Sequence, residues 1–277
     1  MNDFRKNATR AEPATALITG AGAGIGKAVA GLFFSAGYNV VAVSLEPDEL
    51  AVLSRELEPR SPEQKLIVWP MDLSRKNAAE RLFHRCHQEN LQIDVLINNA
   101  GFGLHGQHTS LDLRQHQAML TLNIDTVSVL CQLFGQEMKE RGKGSIVNVG
   151  STSAFQPLPN LAAYAASKAF VVSLTEALAN ELKPYGVQVH CVCPGTTKTA
   201  FLDRAGLQDN ERFGSTAYIA HRVAMRPEKV ARVIFDAAFS DKTLSVPGII
   251  NQLHFGLAKI LPERLMTPLA AGVLGRR

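Results

Sequence analysis

The sequence is poor in the features that mark most specialised chains. Cysteine is scarce: Cys86, Cys131, Cys191 and Cys193 are the whole complement of 277 residues, and they form no paired framework. That excludes a disulfide-stapled fold and points to a reducing compartment. Cys191-Val192-Cys193 lacks the two-residue gap of a redox dithiol and has no partners at zinc spacing, so buried strand thiols and no metal are expected. Long apolar runs are missing too. No stretch reaches the ~18 continuous apolar residues that a spanning helix needs. Met1 to Pro13 carry charges and no apolar run, so a loose tail is expected there and not a signal peptide. A cytoplasmic location is the expectation. Charge of one sign is also lacking: 29 Lys+Arg stand against 25 Asp+Glu, with the basic residues scattered apart from a few near the C-terminus. This argues against a nucleic-acid partner.

What the chain does have is core. With 46% hydrophobic and 19% charged residues it can fill one large domain. Apolar, β-rich runs recur at Ala14 to Ile18, Tyr38 to Val43, Lys65 to Trp69, Ile93 to Ile97, Ser145 to Val149, Val187 to Val192 and Leu244 to Val246. They are nearly uniformly apolar, as strands buried on both faces must be. Helical stretches lie between them, at Ile25 to Ala36, Asp48 to Leu57, Ser74 to Glu89, Leu113 to Arg141 and Leu161 to Lys183, with Pro227 opening another that ends near Ser240. The alternation predicts an α/β fold: a doubly wound, Rossmann-type, mostly seven-stranded parallel sheet with helices on both faces. No internal repeat or low-complexity linker interrupts it, so residues 14–277 are expected to form one domain.

The first strand runs into Thr19-Gly20-Ala21-Gly22-Ala23-Gly24-Ile25-Gly26, after which a helix begins. Glycine at alternate positions lets backbone amides approach a pyrophosphate, and a helix N-terminus adds positive dipole. An ordinary strand-to-helix turn rarely needs this many glycines. The spacing is not the G-x-G-x-x-G fingerprint, because Ile25 stands where its last glycine would fall.

Tyr164 and Lys168 are separated by one helical turn and so share a face. A nearby ammonium favours the phenolate, and the pair is expected to lower the phenol towards the range where proton transfer is efficient. Alone, such a pair would more often be surface packing; the glycine loop upstream reverses that weighting. Ser151 ends the fifth strand, where the crevice of a parallel sheet opens, and its hydroxyl could hold a carbonyl oxygen. Thr152 and Ser153 compete with it, and all three could merely satisfy a turn. Asn123 sits inside the long fifth-strand-side helix, where asparagine is a poor interior residue, and it could be capping a bend.

These motifs, in this order, resemble the short-chain dehydrogenase/reductase family over roughly Thr15 to Thr199. The loop from Thr19 to Gly26 is similar to its T-G-x-x-x-G-x-G, Asn98-Asn99-Ala100-Gly101 to its N-N-A-G, and Pro194-Gly195-Thr196-Thr197-Lys198-Thr199 to its P-G-x-x-x-T. The resemblance implies Tyr164 as acid/base, Lys168 on the nicotinamide ribose, Ser151 on the substrate oxygen and Asn123 positioning a water that leads to the lysine. It places Gly20, Gly22, Ala23, Gly24, Ile25, Gly26, Asp72, Leu73, Asn99, Ala100, Gly101, Pro194, Gly195, Thr197 and Thr199 on the dinucleotide, with Asp72 and Leu73 at the adenine. It also implies a homodimer or homotetramer built through the two long helices.

Just past the second strand, where the family has its Asp or Arg, stand Leu45 and Glu46. An acid there suits the free ribose hydroxyls and a basic residue suits a 2′-phosphate. With Glu46 able to turn in and no basic residue in the loop, NAD is favoured over NADP. The expected function is hydride transfer to or from an apolar carbonyl or secondary alcohol. A ketoacyl-type reductase using NADPH, or a dinucleotide-binding regulator without turnover, are the alternatives. Phe155 and Phe201 are expected on the substrate, with residues 200–225 as a flap. Beyond Pro247 an apolar stripe of helical period (Ile249, Ile250, Leu253, Leu257, Ile260 and Leu261) opens a C-terminal extension, residues 248–277, that could dock on the domain, pair subunits, cover a substrate or touch a membrane surface.

Overall fold

The computed structural model describes residues 13–199 and 224–260. The N-terminal tail, Phe201, most of the expected flap and the end of the C-terminal extension lie outside the described residues. Seven strands form one sheet: β1 (Thr15–Thr19), β2 (Asn39–Ser44), β3 (Leu66–Pro70), β4 (Val95–Asn98), β5 (Gly144–Val149), β6 (Val187–Val192) and β7 (Leu244–Ser245). Their order is β3-β2-β1-β4-β5-β6-β7, and every pairing is parallel.

Successive strand residues point to opposite faces, and here both faces are covered. Leu17, Val41, Leu96 and Ile146 join a core with Leu82, Phe134 and Val171. Their neighbours Ile18, Val40, Ile97 and Val147 join another with Phe33, Leu50 and Ile234. The covering helices are α1 (Gly24–Ser35), α2 (Pro47–Glu56), α3 (Ala78–Gln88), α4 (Leu113–Leu120), α5 (Thr126–Arg141), α6 (Ala162–Leu182), α7 (Pro227–Ala237) and α8 (Ile249–Ile260).

Strand order reverses at β1, which pairs with β2 on one side and β4 on the other. A crevice therefore opens at the carboxyl ends of these strands. The expected helix from Ser74 starts only at Ala78, because Ser74 is tied back to Asp72 and Asn77 takes a left-handed conformation (φ 57°). Leu113 to Arg141 is not one regular helix: a π-helical turn, Thr121–Asp125, separates α4 from α5. By length and apolar content this stretch is long enough to cross a bilayer. It is a core helix, with Leu130, Phe134 and Met138 of α5 buried against the sheet.

The stripe on α8 forms, but it faces solvent: Ile249, Ile250, Leu253 and Leu257 are all exposed. The docked face carries Asn251 and Phe255 instead. Phe255 lies with its ring centroid 4.4 Å from that of Phe155.

Candidate active site

The glycine loop is shaped by close backbone approaches. Gly20 (φ +66°) and Gly24 (φ +54°) adopt left-handed conformations that L side chains avoid. A Cβ on Gly26 would stand 2.0 Å from the Gly20 carbonyl oxygen, so the turn closes only without one. Asn99 braces the loop from β4: its Nδ2 donates to the carbonyls of Thr19 (2.9 Å) and Gly20 (3.2 Å). The Thr19 hydroxyl in turn accepts from the N–H groups of Asn99 and Ala100, both at 3.0 Å. Ala23, the residue before α1, contributes no side-chain cap. With no cap from Ala23, the first-turn N–H groups of α1 and the helix dipole suit an anion.

This loop floors one end of a cleft of about 630 Å³. Ser44, Leu45, Glu46, Glu49, Asp72 and Leu73 bound it on the β2 and β3 side; Ser151, Tyr164, Lys168 and Pro194 to Thr197 bound it on the β5 and β6 side. From β2 to β5 is three strand spacings, ~14 Å, a span that suits an extended dinucleotide lying across the carboxyl ends. The glycine cradle, the uncapped helix and the length of the cleft therefore fit such a group. Asp72 is already well supplied with donors: Ser74 N and Oγ bond its Oδ1, and Arg75 Nε lies 2.9 Å from its Oδ2. Burial alone would raise its carboxyl, but these hydrogen bonds outweigh burial and hold it below the ordinary range.

At the far end the residues expected to carry the chemistry come together. Tyr164 and Lys168 project from α6, and both are buried. Ser151 leaves β5 in extended conformation and its Oγ accepts from Ser153 N at 3.1 Å, which orients it. The Tyr164 phenol hydrogen-bonds the Ser151 hydroxyl, and Ser153 lies beside it. Lys168 Nζ donates to the Val149 carbonyl at 2.9 Å. Asn123 sits in the π-helical turn and is fully buried. Its Oδ1 accepts from Phe102 N (3.3 Å), and its Nδ2 donates to Phe102 O (3.0 Å) and Ser167 Oγ (3.1 Å). A side chain at Gly101 would meet both Asn123 Oδ1 (2.9 Å) and Lys168 Nζ (3.4 Å), so glycine there lets amide and ammonium gather over the loop.

The expectation that Lys168 lowers the phenol is not met in this structure. Burial pushes Tyr164 up to about 12, with the Ser151 and Ser153 hydroxyls pulling the other way. Removing the phenolate from water outweighs a cation whose ammonium stands 6.0 Å from the ring centroid. Burial also brings Lys168 down to about 8. At neutral pH the phenol is a proton donor and the lysine is still largely charged.

Among the described residues Phe155 is not part of the cleft lining; it ends the turn Thr152–Phe155 and packs against Phe255 of α8. The apolar wall near Tyr164 is formed by Phe102, Leu122, Leu158 and Leu161. Phe102 and Leu122 flank motif residues, and that adjacency was the available signal. Glu49 and Asn251 also escaped the sequence reading. Asn251 covers Gly195, where a Cβ would come within 2.3 Å of its Oδ1. The thiols of Cys191 and Cys193 lie 3.6 Å apart, buried as expected; their contact with each other and burial push the Cys193 thiol well up, away from reactivity.

The family model for short chain dehydrogenase matches residues 14–210. The chain is 31% identical to a probable oxidoreductase, EphD, of Mycobacterium tuberculosis, over 90% of this chain and 43% of that protein. The chain thus spans less than half the length of that relative. It is also 31% identical to the 3-oxoacyl-[acyl-carrier-protein] reductase FabG of Thermotoga maritima, over 90% of this chain and 99% of that one. Among solved structures, a short-chain dehydrogenase from Sphingobium yanoikuyae in complex with NADPH superposes with a TM-score of 0.75 at 27% identity, covering 90% of this chain and 96% of that one.

Proposed function

The chain belongs to the short-chain dehydrogenase family, and from that premise we propose that it moves a hydride between a nicotinamide dinucleotide and a carbonyl or secondary alcohol. What carries the reading is one continuous cleft that starts on the glycine loop and ends on the hydrogen-bonded Tyr164 and Ser151. A bound nicotinamide dinucleotide would supply the hydride chemistry. The loop from Gly20 to Gly26 and the start of α1 would hold its pyrophosphate, Asp72 and Leu73 the adenine, and Asn99 to Gly101 with Pro194, Gly195, Thr197 and Thr199 the rest.

The chain's own groups divide the remaining work. Ser151 fixes the substrate oxygen; Tyr164 gives it a proton in the reducing direction and takes one back in the oxidising direction. Lys168 holds positive charge beside the ribose and Asn123 holds the loop at Phe102 in place. The apolar wall of Phe102, Leu122, Leu158 and Leu161 favours a substrate whose carbonyl is set in a hydrocarbon body.

NAD is the better fit for the cofactor. Among the described residues that line the cleft, Lys168 is the single cation, whereas Glu46, Glu49 and Asp72 gather at the β2 and β3 end. Purified protein titrated with NADH and NADPH, followed by nicotinamide fluorescence, is expected to bind NADH more tightly. With that cofactor it is expected to turn over members of a panel of apolar ketones, secondary alcohols and β-ketoacyl thioesters. Binding of neither dinucleotide overturns the reading.

Family kinship also supports a homodimer or homotetramer assembled through α5 and α6. Light scattering on eluting protein is expected to give a mass at least twice the chain's 30.0 kDa. A single-chain mass refutes the assembly.

A further inference from the structure

The two residues expected to read the adenosine ribose, Leu45 and Glu46, border the cleft on its exposed rim. Leu45 is 57% exposed, and Glu46 is exposed at the start of α2, where its carbonyl accepts from Leu50 N at 3.4 Å. The carboxylate that reaches the glycine loop belongs to Glu49. A Cβ built on Gly22 would stand 2.6 Å from Glu49 Oε2 and 2.6 Å from Ser44 Oγ, so both groups lie directly over that glycine. Ser44 is buried at the end of β2, and Glu49 is half-buried in the first turn of α2.

The local sequence explains this placement. Pro47 sets the first helical residue of α2 with only Leu45 and Glu46 between it and the end of β2, so the helix starts at the sheet's carboxyl edge. Leu50 and Leu53 anchor its inner face in the core, and Glu49 is thereby carried to the side that overlooks the loop. A carboxylate is also favoured in a helix's first turn, where the dipole is positive. Gly22 is what admits it, since any side chain there would occupy the same space.

We propose that Glu49, with Ser44, is a residue pair that selects the adenosine ribose, reaching it from α2 over Gly22 in addition to the Leu45 and Glu46 segment. This rests on the dinucleotide reading above. A carboxylate oxygen pair accepts from two vicinal hydroxyls, which an unphosphorylated ribose offers. A 2′-phosphate removes one donor and brings a second negative charge against the first. No Lys or Arg lines that end of the cleft among the described residues to offset the repulsion.

The test compares wild-type protein with Glu49→Gln and Glu49→Arg, titrated with NADH and NADPH, and with ADP-ribose and its 2′-phosphate to isolate the adenosine half. Glutamine keeps the shape and loses the charge. Wild type is expected to prefer the unphosphorylated partner of each pair. Glu49→Gln is expected to shrink the preference ~10-fold or more, and Glu49→Arg to invert it, by the equivalence of a decade to ~1.4 kcal/mol. An unchanged ratio in both variants, with NADH still bound, overturns Glu49 and leaves the dinucleotide reading intact. A wild-type preference for the phosphorylated forms also overturns the assignment. Failure of wild type to bind any of the four overturns both.

Discussion

Tyr164→Phe is expected to lower turnover by ~10²–10⁴-fold, the usual contribution of a positioned acid or base, while dinucleotide affinity changes little. The substitution removes one oxygen from a buried ring and leaves its packing in place, so the melting temperature should hold. The loss falls on one group: the hydroxyl that hydrogen-bonds Ser151 at the end of the cleft. Burial keeps that phenol protonated up to about 12, which makes it a ready donor to a nascent alkoxide near neutral pH. The converse task, accepting a proton from an alcohol, is harder for it unless bound ligands alter its surroundings. Reduction should accordingly be the direction in which the variant's deficit is read most cleanly. Single-turnover reduction with saturating dinucleotide separates this from binding. If the variant retains more than about a tenth of the wild-type rate, where a general acid ordinarily accounts for at least ~10²-fold, proton delivery belongs to another group, and Ser151 is the first to examine.

The strands could be read from the sequence because burial on both faces leaves an almost unbroken apolar run, as in Val40 to Val43 and Leu96 to Ile97. The glycine loop was legible for a related reason: a turn that brings Gly26 against the Gly20 carbonyl tolerates no other residue, so its constraint is written in composition. Tyr164, Lys168 and Ser151 could be placed by helical period and strand end. Asn123 stood out as a misfit, and the π-helical turn is the structural form of that misfit. Side-chain direction was the hidden part. Phe155 lies in a segment that borders the cleft, yet its ring turns to Phe255, a direction that depends on how α8 is set down against the 3-10 turn Thr152–Phe155. Glu49 was missed because its approach to Gly22 depends on how α2 is set down on the sheet. The sign of the Tyr164 shift was missed for the same class of reason: spacing gives a distance to Lys168, but burial, which decides the outcome, is a property of the whole fold.

Two glycines of α1 separate a local conformational cost from a steric requirement. Gly26→Ala places a methyl group 2.0 Å from the Gly20 carbonyl oxygen and 2.5 Å from Asn99 Nδ2. Neither partner can yield cheaply, since one is backbone and the other is engaged with the Thr19 and Gly20 carbonyls. The loop must open, and the N–H groups proposed to hold the pyrophosphate move with it. Dinucleotide affinity is expected to fall by ~100-fold or more, equivalent to ~2.7 kcal/mol, with folding stability reduced by ~1–3 kcal/mol from overpacking. Gly31→Ala lies in the same helix, but its new methyl group would meet only Leu57 Cδ2, at 3.8 Å, an ordinary contact. Here the helical gain of alanine over glycine acts alone, and the chain should be stabilised by ~0.5–1 kcal/mol with affinity unchanged. Urea unfolding and NADH titration on both variants read the two effects. Opposite signs in stability, with affinity lost only at Gly26, are the expected result. If Gly26→Ala binds NADH as wild type does, the backbone of this loop is not what holds the dinucleotide, and the cleft must grip it through the walls at Asp72 and Pro194 instead.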